Sequence, residues 1–431
     1  MAEPIYDAAV IGGGIAGCAS AYYLARKGLK VILLEKGRIA GEQSGRNWGF
    51  VRHQGRDPRE LPLMIACNRM WRDLEADLGA DLEWRQGGLL YLAEDAARVA
   101  SYEAWLEHAR AFQLDGRLLS AREAAAIAPG MAGTWAGALY TPSDGQADPV
   151  KTTNAFADAA RRLGAEVRTG CAVEAVETAG GAVTGLRAET GPVRAARVLV
   201  AAGVWTSRFL RPLGADLPQL YVRSSVLRTT PAPSPNLQPG VWCHGAGLRQ
   251  RRDGSFNVAP GGSADFYVGP DAVRYFRAFW PNLRHGRHHI SLMLGRESLE
   301  ELGRVLGGAG ALARRMKRDR VLAPKPNQRT LGRALAAFRK LFPAHAGLQI
   351  AESWAGMIEA TPDDVPVLDA VPGVRGLAVA TGFSGHGFGM GPIAGRVMAE
   401  LIADGKPSLD LAEFRFDRFK TLAALVRDQS V

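Results

Sequence analysis

The stretch AAVIGGGIAGCASAYYLARKGLKVILLEK, residues 8–36, decides how the rest of the chain is read. An apolar run from Ala8 to Ile11 is short enough for a buried strand. Gly12, Gly14 and Gly17 follow in G-x-G-x-x-G spacing, then a helical segment, a stop at Gly28, and a second apolar run from Val31 to Leu34. This is a βαβ unit with the dinucleotide fingerprint in the context it requires. Gly12 permits the tight turn, Gly14 lets the backbone approach a pyrophosphate, and Gly17 lets the helix lie close on the sheet. The helix start, Ile15 and Ala16, offers unpaired N–H groups and a partial positive charge to phosphates. Glu35, followed by Lys36, closes the second run 23 positions after Gly12, where an acid holds ribose hydroxyls.

The chain has 431 residues and a net charge of +10. That length allows two domains with large cores. No run approaches 18 uninterrupted apolar residues, so no transmembrane segment is expected. Met1 to Asp7, with Glu3 and Asp7, runs straight into the first strand and does not read as a signal peptide. Cys18, Cys67, Cys171 and Cys243 are widely spaced. They suit neither a metal centre nor a disulfide scaffold, so no metal is expected, and they fit a reducing cytoplasm. The densest basic stretch, LARRMKRDRVLAPK from Leu312 to Lys325, has no interleaved aromatics. It reads as a solvated helix face rather than a nucleic-acid platform, with peripheral contact to an inner-membrane surface as the lesser alternative.

Strand-like runs recur at 88–92, 166–176, 183–188 and 198–202, and helical patterns at 58–78, 96–112, 149–163 and 391–403. The alternation points to an α/β fold with a parallel core. Residues 220–291 hold several strands separated by Pro and Gly and read as an inserted antiparallel sheet. Near the C-terminus, an apolar run from Leu377 to Ala380 enters a loop holding Gly382, Gly385, Gly387, Gly389 and Gly391, with Pro392 suited to a first helical turn. This repeats the plan of the first segment: glycine-permitted backbone approach and a helix N-terminus aimed at a ligand. One dinucleotide needs one pyrophosphate loop. A second helix N-terminus suits a flavin, whose reduced ring is negatively charged.

Six ordered motifs carry a resemblance over nearly the whole chain: GGGIAG with its βαβ context, SGRNWGFVR (44–52), SDGQADPVKTTNAFADAARRLGAEV (143–167), VLVAAGVWT (198–206), WAGMIEATPDDVPVLD (354–369) and ATGFSGHGFGMGP (380–392). The chain resembles the FAD-dependent D-amino-acid oxidase superfamily, which includes glycine and sarcosine oxidases and D-amino-acid dehydrogenases. The resemblance implies a Rossmann-like FAD domain (1–83, 144–214 and 345–431) with an inserted mixed-sheet substrate domain (84–143 and 215–344). It implies that Ser44, Gly45, Arg46 and Asn47, with Trp48 and Gly49, form the loop beneath phosphates and isoalloxazine. Val173 stands at adenine, Ala202, Gly203 and Trp205 at the closing strand end, and Phe383 to Met390 around the flavin pyrimidine, including His386, Phe388 and Gly389.

Two departures bear on chemistry. Family members that grip a substrate carboxylate carry an arginine three residues before T-x-D, where this chain has Ile358; covalent members carry a cysteine two residues earlier, at Gly356. Non-covalent FAD is expected. The implied reaction moves a hydride from the α-carbon of an amino acid or secondary amine to the flavin, and the imine then hydrolyses. Arg52 and His53, directly after SGRNWGFV, and His386 are the catalytic candidates; Arg52, Ile358 and Tyr267 are the substrate candidates. Oxygen, a quinone or a partner subunit is the electron acceptor. Readings from other classes are an NAD-dependent dehydrogenase and a basic protein that merely carries FAD.

Overall fold

The computed structural model describes residues 5–233, 237–286, 290–306 and 308–419. Its centre is a six-stranded sheet in the order Val367–Ala370, Leu377–Thr381, Val198–Val200, Ala8–Ile11, Val31–Leu34, Glu166–Arg168. Only the Val367–Ala370 edge runs antiparallel. Ala8–Ile11 and Val31–Leu34 are buried throughout, as the unbroken apolar runs require of parallel strands covered on both faces. Helix Ile15–Arg26 crosses between them and ends before Gly28, whose φ of +82° suits a helix stop.

That helix is buried from Ile15 to Ala25 because it lies between helices Pro149–Arg162 and Gly387–Asp404. The close packing needs glycines. A Cβ on Gly391 would stand 2.4 Å from Ile15 Cγ1, and one on Gly395 would stand 2.4 Å from Ala19 Cβ. The C-terminal helix starts at Gly387, four residues before the expected 391, so Pro392 lies in its second turn. Trp71 Nε1 and Cys67 Sγ donate to the Gly389 carbonyl in that irregular stretch, at 2.9 and 3.0 Å.

A ten-stranded mixed sheet forms the second layer. It contains the expected strands of residues 220–291 and adds Leu89–Ala93, Arg117–Leu119, Gly137–Thr141 and Ile350–Ala360. Ile350–Ala360 pairs antiparallel along all of Leu220–Thr229, from Ala360 opposite Leu220 to Ile350 opposite Thr229. Its hydrogen bonds therefore join it to the ten-stranded sheet, whereas the sequence division expects residues 345–431 in the other domain. The expected run 166–176 is two strands: Gly170, at φ +64°, turns the chain out of the central sheet, and Val173–Ala179 joins a separate four-stranded sheet.

Gly395→Val is expected to lower stability by about 1–3 kcal/mol, because rigid backbone at Ala19 and Ser20 faces the added methyls. A urea midpoint equal to that of the parent would show that the two helices have room to part.

Candidate active site

A cavity of about 650 Å³ runs from the carboxyl ends of the central strands to the face of the ten-stranded sheet. At its first end the chain leaves Ile11 through Gly12, whose φ is +112° and where an added Cβ would stand 2.4 Å from the Ala201 carbonyl oxygen, so no side chain is admitted. Gly17 sits behind, where a Cβ would lie 2.0 Å from the Gly12 oxygen, and it does not line the cavity. Gly14, Ile15 and Ala16 do line it, and a Cβ on Gly14 would meet only Ser44 Oγ. That hydroxyl accepts the Ile15 N–H at 2.8 Å. Glu35 lines the cavity while its two carboxylate oxygens accept the Gly13 and Gly37 amides, each at 2.7 Å. Burial pushes its carboxyl up, and those amides oppose the shift. Val173, Ala202, Gly203 and Trp205 close this end.

The basic segment expected as a solvated face is a strap over this end. Lys36 Nζ donates to the Asp319 and Arg320 carbonyls at 2.8 and 3.0 Å, and Leu322 N donates to Glu42 at 2.9 Å. Arg320 pairs with Glu189, Lys317 with Glu174, and Arg315 with Glu301. One side of the segment is thus tied to the nucleotide loop through backbone groups and to Glu174, Glu189 and Glu301 through charges, and Met316 reaches the cavity wall, while Arg314, Lys317 and Arg318 stay exposed on its other side.

In the middle, Arg46 lines the cavity, but its guanidinium is held by carbonyls: Nη1 donates to Ala355 at 2.8 Å and Nε to Gly41 at 3.0 Å. Its stem crosses Gly356, where a Cβ would stand 3.2 Å from Arg46 Cβ. Asn47 bridges the loop, donating to the Ser44 carbonyl and accepting the Gly49 amide, both at 2.8 Å. Trp48 stacks on Trp242 with centroids 5.0 Å apart. Gly45 and Gly49 face away, against the Ala40 and Ala147 carbonyls.

At the far end, Phe383, Gly385, His386, Gly387 and Phe388 reach the cavity through a loop turned by Gly382 and Gly385. Gly389 and Met390, expected at the flavin, do not line it. Gly389 faces the backbone of Val51, and Met390 is fully buried in the core. Ile358 and Arg52 line the cavity, and Arg52 donates to the Gln54 carbonyl with its guanidinium 5.9 Å from the centroid of Tyr91. His53 lies outside it. Adjacent residues of an extended segment point to opposite sides. His53 is accordingly buried, with Nδ1 2.7 Å from Asp144 and Asn68 against Nε2 at 2.8 Å. Tyr267 is likewise outside, with the Arg223 guanidinium 5.2 Å from its ring centroid, whereas Ala264 of the same strand lines the cavity. No metal-holding cluster occurs among the described residues.

Among the cavity residues that escaped the sequence reading are Arg56, Asp364 and Glu359. Arg56 follows Arg52 by one short turn, and Glu359 directly follows Ile358. Glu359 is buried, and its Oε2 accepts Gln219 and Thr381 at 2.6 and 2.8 Å. Burial pushes its carboxyl up to about 7 against those hydrogen bonds. Burial and the neighbouring Asp363 push Asp364 up to about 6.

The glycine cradle, the helix amides at its mouth, the acid at one end and a second helix N-terminus at the other fit a flavin dinucleotide along the cavity. Residues 7–401 match the family described as DAO, FAD dependent oxidoreductase. The chain belongs to that family. It is 27% identical to the peroxisomal sarcosine oxidase of Homo sapiens, over 97% of this chain and 98% of that one. It is 25% identical to the mitochondrial sarcosine dehydrogenase of Mus musculus, over 95% of this chain but only 41% of that longer protein. The solved L-amino acid deaminase of Proteus myxofaciens, in complex with anthranilate, superposes with a TM-score of 0.90 at 28% identity, covering 97% and 95% of the two chains. The protein is thus an FAD-dependent oxidoreductase acting on amino acids or amines. None of its described helices is long and apolar enough to cross a membrane.

Glu359 sets a pH dependence. Its native carboxyl holds a proton more tightly than an unfolded glutamate of ordinary pKa 4.5, so stability is greatest below that value and falls as pH rises toward about 7. Glu359→Gln keeps an oxygen for Gln219 and Thr381 and removes this loss. Between pH 5 and pH 8 the variant should lose less unfolding free energy than the parent, by at most about 3 kcal/mol. Denaturant titrations giving the same pH difference for both proteins would contradict the assignment.

Proposed function

We propose that this oxidoreductase acts on the C–N bond of an N-substituted α-amino acid or related secondary amine, and that it holds FAD without a covalent bond. One observation carries the reading: apolar Ile358 and the Arg52 guanidinium line the same end of the cavity, beside the second helix N-terminus. Bound FAD supplies a two-electron acceptor for the hydride of the substrate α-carbon, leaving an imine that water cleaves to a carbonyl compound and an amine.

The chain's own residues orient the substrate. Ile358 offers an apolar wall to the N-substituent, and Arg52 offers a guanidinium to the carboxylate, a pairing demanding in geometry. Amides at the start of the Gly387–Asp404 helix, those of Gly387 and Phe388, bring positive potential to the cavity, favouring negative charge there. Gly356 carries no thiol, and none of the four cysteines lines the cavity among the described residues. Two relatives are named for sarcosine, itself an N-substituted amino acid. Oxygen, a quinone or a partner subunit takes the electrons onward, in a cytoplasmic protein whose cysteines are all reduced.

Acid precipitation should leave the pellet colourless, and N-methyl amino acids should turn over faster than free glycine. Arg52→Lys should raise KM for carboxylate-bearing substrates more than for neutral amines. Flavin retained in the pellet, or rapid glycine turnover, would overturn the corresponding half of the reading. Stopped-flow reoxidation of the reduced enzyme by oxygen and by a quinone separates oxidase from dehydrogenase.

A further inference from the structure

Arg56 and His386 line the substrate end of the cavity with Glu60 enclosed behind them, and each of the three has an enclosed atom without a hydrogen-bond partner. Arg56 lines the cavity, is 3% exposed, and leaves Nη1 unpartnered. Glu60 is fully enclosed with both carboxylate oxygens unpartnered, and His386 lacks a partner at Nδ1. Glu60 Oε2 and His386 Nδ1 stand 3.6 Å apart, just beyond hydrogen-bond reach. Glu60 Oε2 and His386 Nδ1 therefore answer each other behind the wall, while the remainder of the Arg56 and His386 side chains lines the cavity.

The charges are arranged to read two different groups. Arg56 is anchored through Nε, which donates to the Arg52 carbonyl at 3.2 Å, and this brings two cationic side chains to one wall. Burial and the charge of Arg52 bring the Arg56 guanidinium down to about 9, still protonated at neutral pH. Burial pushes the Glu60 carboxyl up, but His386, Arg56 and Arg52 outweigh it and keep it ionised. Burial, with Arg56 and Arg52, drives His386 down to about 4 against the pull of Glu60, so the ring is neutral. Asp57 and Asp364 are the other acids at this end. A neutral imidazole has one N–H and one lone pair. With the N–H toward Glu60, the other ring nitrogen is an acceptor for a ligand, and a quarter of the His386 side chain is exposed.

We propose that Arg56 and the His386–Glu60 pair form an amino-acid-reading subsite, in which Arg56 with Arg52 takes the carboxylate and His386, oriented by Glu60, accepts the amine N–H. This rests on the amine-oxidising reading above and narrows it to substrates carrying both groups on one carbon. Glu60 acts as a positioning residue.

The test uses the FAD-loaded enzyme and calorimetric binding of three probes it cannot oxidise. They are 2-(methylamino)isobutyrate, which has both groups; its primary amide, which has the amine alone; and isobutyrate, which has the carboxylate alone. The parent should bind the first at least roughly tenfold tighter than either of the others, the scale of one charge-assisted hydrogen bond. Arg56→Lys should weaken both carboxylates roughly tenfold and leave the amide within about twofold. Glu60→Gln should weaken the two amine-bearing probes and spare isobutyrate. A parent that does not rank the probes, or variants that shift all three alike, would overturn the subsite; the parent's ranking needs no variant to fold. An enzyme that oxidises amines yet binds the probes indifferently overturns this inference alone. One that ranks the probes but oxidises no amine overturns the reaction and leaves the subsite standing.

Discussion

Helix Ile15–Arg26 is gripped on two sides at positions where no side chain fits. Gly17 rests on the Gly12 carbonyl, while Gly391 and Gly395 of the C-terminal helix rest on Ile15 and Ala19. These contacts fix the amides of one helix start relative to the strand it follows, and they fix the start of the second helix relative to the first. Both positive helix ends then converge on a single cavity with no loop free to misplace them. Preorganised dipoles of this kind cost no rearrangement when charge develops beside them.

The middle of the cavity follows from that grip. Arg46 joins the loop after the nucleotide strand to Ile350–Ala360 through the Ala355 carbonyl, and Trp354 returns a 3.0 Å bond to the Arg46 carbonyl. The two bonds hold the loop of 43–49 and the long strand Ile350–Ala360 as one piece, which is why Gly356 lies directly under the Arg46 stem.

Much of this was legible because it is local. The βαβ unit is written in a continuous run of 29 residues, and its strands, helix stop and acid all stand where the spacing places them. The glycines of 382–391 were harder. In sequence, a glycine that admits a ligand and one that admits a neighbouring helix look the same, and only the packing on Val51, Ile15 and Ala19 separates Gly389, Gly391 and Gly395 from Gly385. Arg52 and His53 show a second limit. The motif locates the segment, but the alternation of side chains along an extended backbone sends one to the cavity and the other to Asp144. Arg56 and Glu60 carry no motif, and their importance appears only as unpartnered atoms. The basic segment looked wholly solvated because two of its acidic partners, Glu174 and Glu189, are distant in sequence.

The strap over the nucleotide loop has a consequence for how the protein is made. Lys36 and its Asp319 partner are 283 positions apart. At roughly 5–20 residues per second, a ribosome needs on the order of 15–60 seconds to pass from one to the other. Throughout that interval Lys36 and Glu42 are without the strap that holds them. The strand beside the first one, Val198–Val200, is made within that interval, and the helix that grips Ile15 and Ala19 is made only after it. The closed form of the glycine cradle is thereby a property of the finished chain and not of the βαβ unit alone.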